Sequence, residues 1–473
     1  GDKRRWYVST LDLQLASLAL CRACRRVPTL HVNIGIGTPR SIWLPENPLA
    51  NASGWPPASS QQRSPEEFSH RESGARGSRV PAILPFGVTW ALSTQDLSES
   101  VGEGILGWVE WLRFQVGRTA NDDDLRSLVW PAGLKKLVVQ SVDDHPLPKE
   151  MPLPTSLEEL TIIGPVFNRP FVGRAWPETL LRLEFGRSFN QPIGSIPWPA
   201  SLRILVLGAD FNQPIKGPGV FPAFLRELTF GDAFDQPVDD VEWPATLESI
   251  SFGYYFKRPI ADVCWPTSLL RVSLGRSFDQ PVEMVSWPVS LRQITFGACF
   301  DHAIEAAEWP PSLEELTLGY SFQQEVAGVA WPASLQRLTF GCKFDRPVEG
   351  IEWPVSLQQL AFGEGFNRPV ADVAWPASLQ RLTFGSEFDM PIVGVAWPAS
   401  LEHLTFGRCF NQPVLGVTWP ASLRRLAFTS RFNQPIGQVV WPDSLEQLTF
   451  GDAFDQPIDT VVWPVSLRRL TFG

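Results

Sequence analysis

Three sets of chemically capable residues run through this chain at intervals of 22 or 23 positions. The first is a column of Asn190, Asn212, Asp235, Asp345, Asn367, Asn411 and Asn433, each followed by Gln or Arg and then Pro. A row of carboxylates could hold metal or perform acid–base chemistry, but much of this column is uncharged Asn. Asn and Asp share instead the ability to accept hydrogen bonds from backbone amides, and a Pro two residues later suits a turn. A structural turn role is expected for all seven positions.

The second set is basic: Arg337, Gln359, Arg381, His403, Arg425, Gln447 and Arg469, with no acid interrupting the row. On adjacent strands, alternate Arg residues would stand roughly 9.6 Å apart. Such a stripe can read an acidic protein partner. A solvated row that avoids stacking Arg on Arg would have the same pattern. The third set is Tyr254, Tyr255, Arg276, Tyr320, Lys343 and Arg408, at two positions that change from copy to copy beside a constant frame. Recognition surfaces vary in this way, and so do loops under relaxed constraint.

The Walker A, H-E-x-x-H and G-x-S-x-G signatures of enzymes are missing. The His residues at 31, 70, 145, 302 and 403 share no metal-ligand spacing, and Cys21–Cys24 is a lone CxxC with no second pair. No catalytic residue, metal or cofactor is expected. A net charge of −10 argues against general nucleic-acid binding, which needs basic surface. No apolar run reaches the roughly 18 residues that would span a bilayer.

The element that must carry these columns is a unit reading W-P-x-S-L-x-x-L-T-F-G-x-x-F-[ND]-[QR]-P-[VI]-x-x-V-x, which recurs from Trp130 onward. Numbered 1 to 22 from the Trp, it places Leu 8 and Phe 10 around Thr 9, a period-two alternation that predicts a short half-buried strand. Gly 11 ends that strand, and Pro at 2 and 17 excludes a long helix from the return path. The return is expected to be extended or to hold a tight turn, for which Pro-x-Ser-Leu is suited. One unit of this length cannot bury its own apolar face, so successive copies must stack, pairing their strands in parallel. The Trp column is then expected in the core. Exposed, it would favour stacking on sugars, and carbohydrate or small-ligand binding by aromatics is the alternative function.

Phe189-Asn190-Gln191-Pro192, Phe211-Asn212-Gln213-Pro214, Phe410-Asn411-Gln412-Pro413 and Phe432-Asn433-Gln434-Pro435, each preceded by the W-P-x-S-L-type segment, resemble the FNIP repeat, a 22-residue variant of the leucine-rich repeat. The resemblance covers residues 130–473. It implies a mainly β, leucine-rich-repeat-like solenoid with a parallel sheet on the concave face, and a non-catalytic role in protein interaction. Some FNIP proteins carry an F-box upstream; residues 1–129 show none.

Three segments are expected. Residues 1–100 are rich in Ser, Pro and Arg and should be loosely ordered or disordered. Residues 101–129 read as a degenerate capping repeat, and 130–473 as fifteen full repeats with one cut short. The chain starts at Gly1 and stops inside a repeat, so it reads as a piece of a longer protein, and the interaction module of a larger multidomain protein or enzyme is a further alternative. A bare last strand would invite self-association. Scattered cysteines without a disulfide framework fit a cytoplasmic setting.

Overall fold

The computed structural model describes residues 31–35, 42–43, 88–90, 110–116, 122–141, 151–171 and 173–473, which fall into two compact units. The first unit contains β1 (His31–Gly35), β2 (Ile42–Trp43), β3 (Val88–Trp90), β4 (Trp111–Val116), a single-turn helix α1 (Asp122–Arg126) and β5 (Lys136–Ser141). Strand β1 pairs in parallel with β3 and β4, and β2 runs antiparallel to β3. Apart from β1 to β3, the segment 1–100 expected to be loosely ordered lies outside the described residues, as does Cys21–Cys24. Within 101–129, Leu112, Phe114, Val116 and Leu125 are fully buried, and Phe114 meets Trp130 edge-on at 5.2 Å.

The second unit is a parallel β-solenoid. Fifteen strands, from β6 (Glu159–Ile163) to β20 (Arg469–Thr471), each pair in parallel with the next without a break. Most are three residues long and occupy positions 7 to 9 of the unit, as in Gln359–Ala361. Alternation does the sorting: Leu360 points into the core while Gln359 and Ala361 stay half-exposed.

One coil, residues 353–374, shows why so short a unit suffices. Trp353, Leu357, Leu360, Phe362, Phe366, Val370 and Val373 are all buried. Three tight turns bring them inward, closed by Leu357 N–H to Pro354 C=O (3.0 Å), Phe366 N–H to Gly363 C=O (3.3 Å) and Val373 N–H to Val370 C=O (3.4 Å). The return path is therefore a succession of turns, and each turn delivers an apolar side chain at its last residue. In several coils the third turn has Gly at a positive φ, as at Gly350 (70°) and Gly394 (88°), the conformation that a type II turn requires.

Like side chains stack on like. Phe366 lies over Phe388 at 6.1 Å with rings 4° from parallel, Phe340 over Phe362 at 5.5 Å, and Trp375 over Trp397 at 6.3 Å. Coil approach is limited at Gly 11: a Cβ built on Gly363 would lie 1.8 Å from the Gly341 carbonyl oxygen. From the coil of Trp176 onward, Thr429 is the one exception in this column, and its Oγ1 is buried without a hydrogen-bond partner.

Polar side chains also tie coil to coil. Ser356 Oγ donates to the Leu335 carbonyl at 2.8 Å, and the Ser at position 4 of most later coils repeats the bond. Sequence reasoning gave this Ser no role. The Asn/Asp column does accept backbone amides, but those of the following coil, not of its own turn. Asn190, Asn212 and Asp235 accept the N–H groups of Asn212, Asp235 and Lys257 at 2.9, 3.0 and 3.2 Å. Asp345, Asn367, Asn411 and Asn433 do the same for Asn367, Asp389, Asn433 and Asp455 at 2.9–3.0 Å. Gln at the next position adds a second bond, as from Gln434 Nε2 to Asn411 Oδ1 at 3.2 Å. Since only an acceptor is needed, Asn and Asp interchange.

Replacing Gly363 by Ala should lower stability by about 1–3 kcal/mol or more through overpacking. Thr429→Gly should raise it by about 1 kcal/mol by removing a buried, unpaired hydroxyl. Denaturant unfolding monitored by tryptophan fluorescence measures both, and unchanged midpoints would refute the close-contact account. Phe362→Ala should cost about 3–5 kcal/mol by the same assay.

Candidate functional site

Position 7 turns out of the core, so strand register decides what gathers there. Arg337 pairs with Gln359, Gln359 with Arg381, Arg381 with His403, His403 with Arg425, Arg425 with Gln447 and Gln447 with Arg469. The seven residues form one uninterrupted row. The four Arg are exposed, and Gln359, His403 and Gln447 are half-buried between them.

Charge pairing divides this row. Glu315, the preceding residue in register, forms an ion pair with Arg337 and neutralises its end. At position 6, Arg226, Arg292 and Arg424 similarly reach Glu248, Glu314 and Glu446 in the following coil at 2.9–3.1 Å. Arg381, Arg425 and Arg469 have no carboxylate partner among the described residues. The sequence carried a signal for this, the change from Glu315 to Arg337 with no acid after it at position 7.

His403 registers the resulting field. Partial burial holds its imidazole below the ordinary pKa of 6.5, and the guanidinium groups of Arg381 and Arg425 push in the same direction. Glu402 opposes the shift and Arg424 adds to it. The row is thus a surface of positive potential with a neutral, hydrogen-bonding ring at its centre.

The variable residues sit in the turn after the strand. Tyr254 and Tyr255 meet at 4.7 Å, Arg276 lies over the Tyr254 ring at 5.0 Å and Lys343 over the Tyr320 ring at 5.9 Å. All three tyrosines are exposed, in a chain whose Phe and Trp are otherwise mostly packed inside. Backbone bonds hold their turns in place, as from Ser277 N–H to Tyr254 C=O at 2.8 Å and Lys343 N–H to Tyr320 C=O at 2.9 Å. Arg408 is exposed on a more distant coil and does not join this group.

Trp exposure weighs against a sugar-stacking strip, because no tryptophan of residues 110–473 is exposed. Trp198 Nε1 donates to the Val220 carbonyl at 2.8 Å and Trp130 Nε1 to that of Pro152 at 2.7 Å, both in coils with one extra residue. Among the described residues, no group of His, Cys, Asp and Glu could hold a metal ion, and no helix is long and apolar enough to cross a membrane. The acids near His302 are largely engaged: Glu314 with Arg292, Glu315 with Arg337, and Asp301 Oδ1 with the Gln323 N–H at 2.8 Å.

The FNIP repeat family model matches residues 189–233, 211–255, 300–343, 366–409, 410–452 and 432–473. Among solved structures, CroV588, described as a circular LRR protein, is 26% identical with a TM-score of 0.51, over 80% of this chain and 68% of its own. An internalin from Listeria monocytogenes str. 4b F2365 is 13% identical over 71% of this chain and 94% of its own, with a TM-score of 0.40. The LRR protein LIC12759 of Leptospira interrogans is 18% identical over 75% and 86%, also at 0.40. No curated protein matches the chain in sequence.

The lowered pKa of His403 makes stability pH-dependent with a definite sign. Between the folded-state pKa and 6.5 the unfolded chain binds more protons, so stability should rise with pH through that window and level off above it. His403→Gln should flatten this part of the profile in denaturant melts between pH 5 and 7. A slope that survives the substitution would assign it to another group.

Proposed function

We propose that this chain, whose repeats match the FNIP repeat model, is a non-catalytic scaffold that binds an acidic protein partner through its exposed strand face. Repeats of this leucine-rich-repeat-like kind commonly serve as interaction scaffolds and are typically non-enzymatic. The observation that carries the reading is the set of three unpaired guanidinium groups, Arg381, Arg425 and Arg469, in register on a backbone-bonded sheet. Arg residues held in place on a rigid element lose little entropy on binding, and a surface of one sign steers a partner of the other.

On earlier coils, in the turns after the strands, Tyr254, Tyr255 and Tyr320 with their stacked Arg276 and Lys343 supply what interface hot spots are enriched in. Sugar or small-ligand binding by a Trp strip loses its support, since those rings seal the core.

The double variant Arg381→Glu/Arg425→Glu should weaken capture of an identified partner by about tenfold or more, with the effect shrinking as salt is raised. Its thermal unfolding should match that of the parent, since both side chains are exposed. Equal affinity of parent and double variant for that partner would end the reading.

A further inference from the structure

We infer that Arg381, His403 and Arg425, with the hydroxyls of Thr383 and Thr405, form a cradle for a phosphate monoester on a protein partner. This rests on the strand face being the binding surface. His403 stands in register between Arg381 and Arg425, and Thr405 stands in register beside Thr383. Each Thr is two residues beyond its row-7 neighbour, so both project to the same face of the sheet. Ala427 follows Arg425 in the third strand, leaving that corner open.

Few acids compete for this site. Glu446 is held by Arg424, and Glu402 is the remaining carboxylate acting on His403, against three guanidinium groups. Arg381 and Arg425 therefore face solvent without a counter-charge, whereas Arg337, in the same row, has one in Glu315. Two long guanidinium side chains rooted roughly 9.6 Å apart can converge on a group above the ring between them. A phosphate monoester suits such a site better than a carboxylate does. It has three terminal oxygens and close to two negative charges, so both forks, the imidazole and a hydroxyl can be engaged at once. A neutral His403 limits cationic repulsion in the empty site, and it can take up a proton when a dianion arrives.

The test uses the full chain and inorganic phosphate as probe, against chloride at matched ionic strength. The His403 ring resonance, assigned by its loss in His403→Gln, is followed by NMR across pH. Phosphate should raise the apparent pKa of His403 and chloride should not. Arg381→Ala and Arg425→Ala should each weaken phosphate binding about tenfold, and Arg337→Ala should leave it unchanged. Equal responses to phosphate and chloride, or a phosphate response that survives Arg381→Ala and Arg425→Ala, overturns the cradle. A second arm treats an identified partner with phosphatase. Loss of binding on dephosphorylation supports the cradle. Binding that needs Arg381 and Arg425 but ignores phosphatase refutes the cradle and leaves the scaffold standing. Binding indifferent to both refutes the two together.

Discussion

Every feature of the solenoid depends on how closely one coil can lie over the next. Parallel strand pairing requires neighbouring backbones to sit about 4.8 Å apart. At position 11 the chains come closer still, with the Gly341 carbonyl oxygen occupying the space that a side chain on Gly363 would need. Once that contact is made, the rest follows in register. Phe rings superpose, Ser hydroxyls reach the carbonyl of the coil before, and Asn or Asp oxygens meet the amide of the coil after. A Cβ at most of these glycines would collide with backbone, although the coil of Thr429 keeps all three ladders.

The same stacking turns sequence columns into surfaces. In an ordinary domain, residues 22 positions apart have no fixed relation. Here they are neighbours, and a change of residue in one column becomes a change of charge along one face. The run from Arg337 to Arg469 acts as a stripe for that reason. It also has an internal boundary, because Arg337 is spent on Glu315 while Arg381, Arg425 and Arg469 are not. His403 lies in the unpaired part of the row, and its pKa is lowered first by partial burial and then by Arg381 and Arg425 on either side. The tyrosine corner arises in the same manner: Tyr254 and Tyr320 each lie beneath a cation from a neighbouring coil.

Much of this was legible in the residues. Two-residue alternation at positions 7 to 9 foretold the strand, and Pro at 2 and 17 foretold a return without helix. Burial of the Trp column followed from its constancy beside Val 21 and Leu 5. The Ser ladder was not legible, because a Ser within Pro-x-Ser-Leu reads equally well as a local turn residue. Nor was the destination of the Asn/Asp bonds. A side chain that accepts an amide proton looks the same in sequence whether the amide belongs to its own turn or to the next coil.

The sequence by itself therefore determined the unit, its period, its strand, its buried faces and the order of charges along each column. These are properties of one coil and its spacing, and a 22-residue repeat states them many times over. Only the tertiary structure decided which partners those columns meet: Asn with the following amide, Ser with the preceding carbonyl, Arg337 with Glu315, and Arg381 and Arg425 with no carboxylate among the described residues. Pairing of that kind depends on distances between coils, and those distances are set by backbone contact at a glycine, which no single repeat contains.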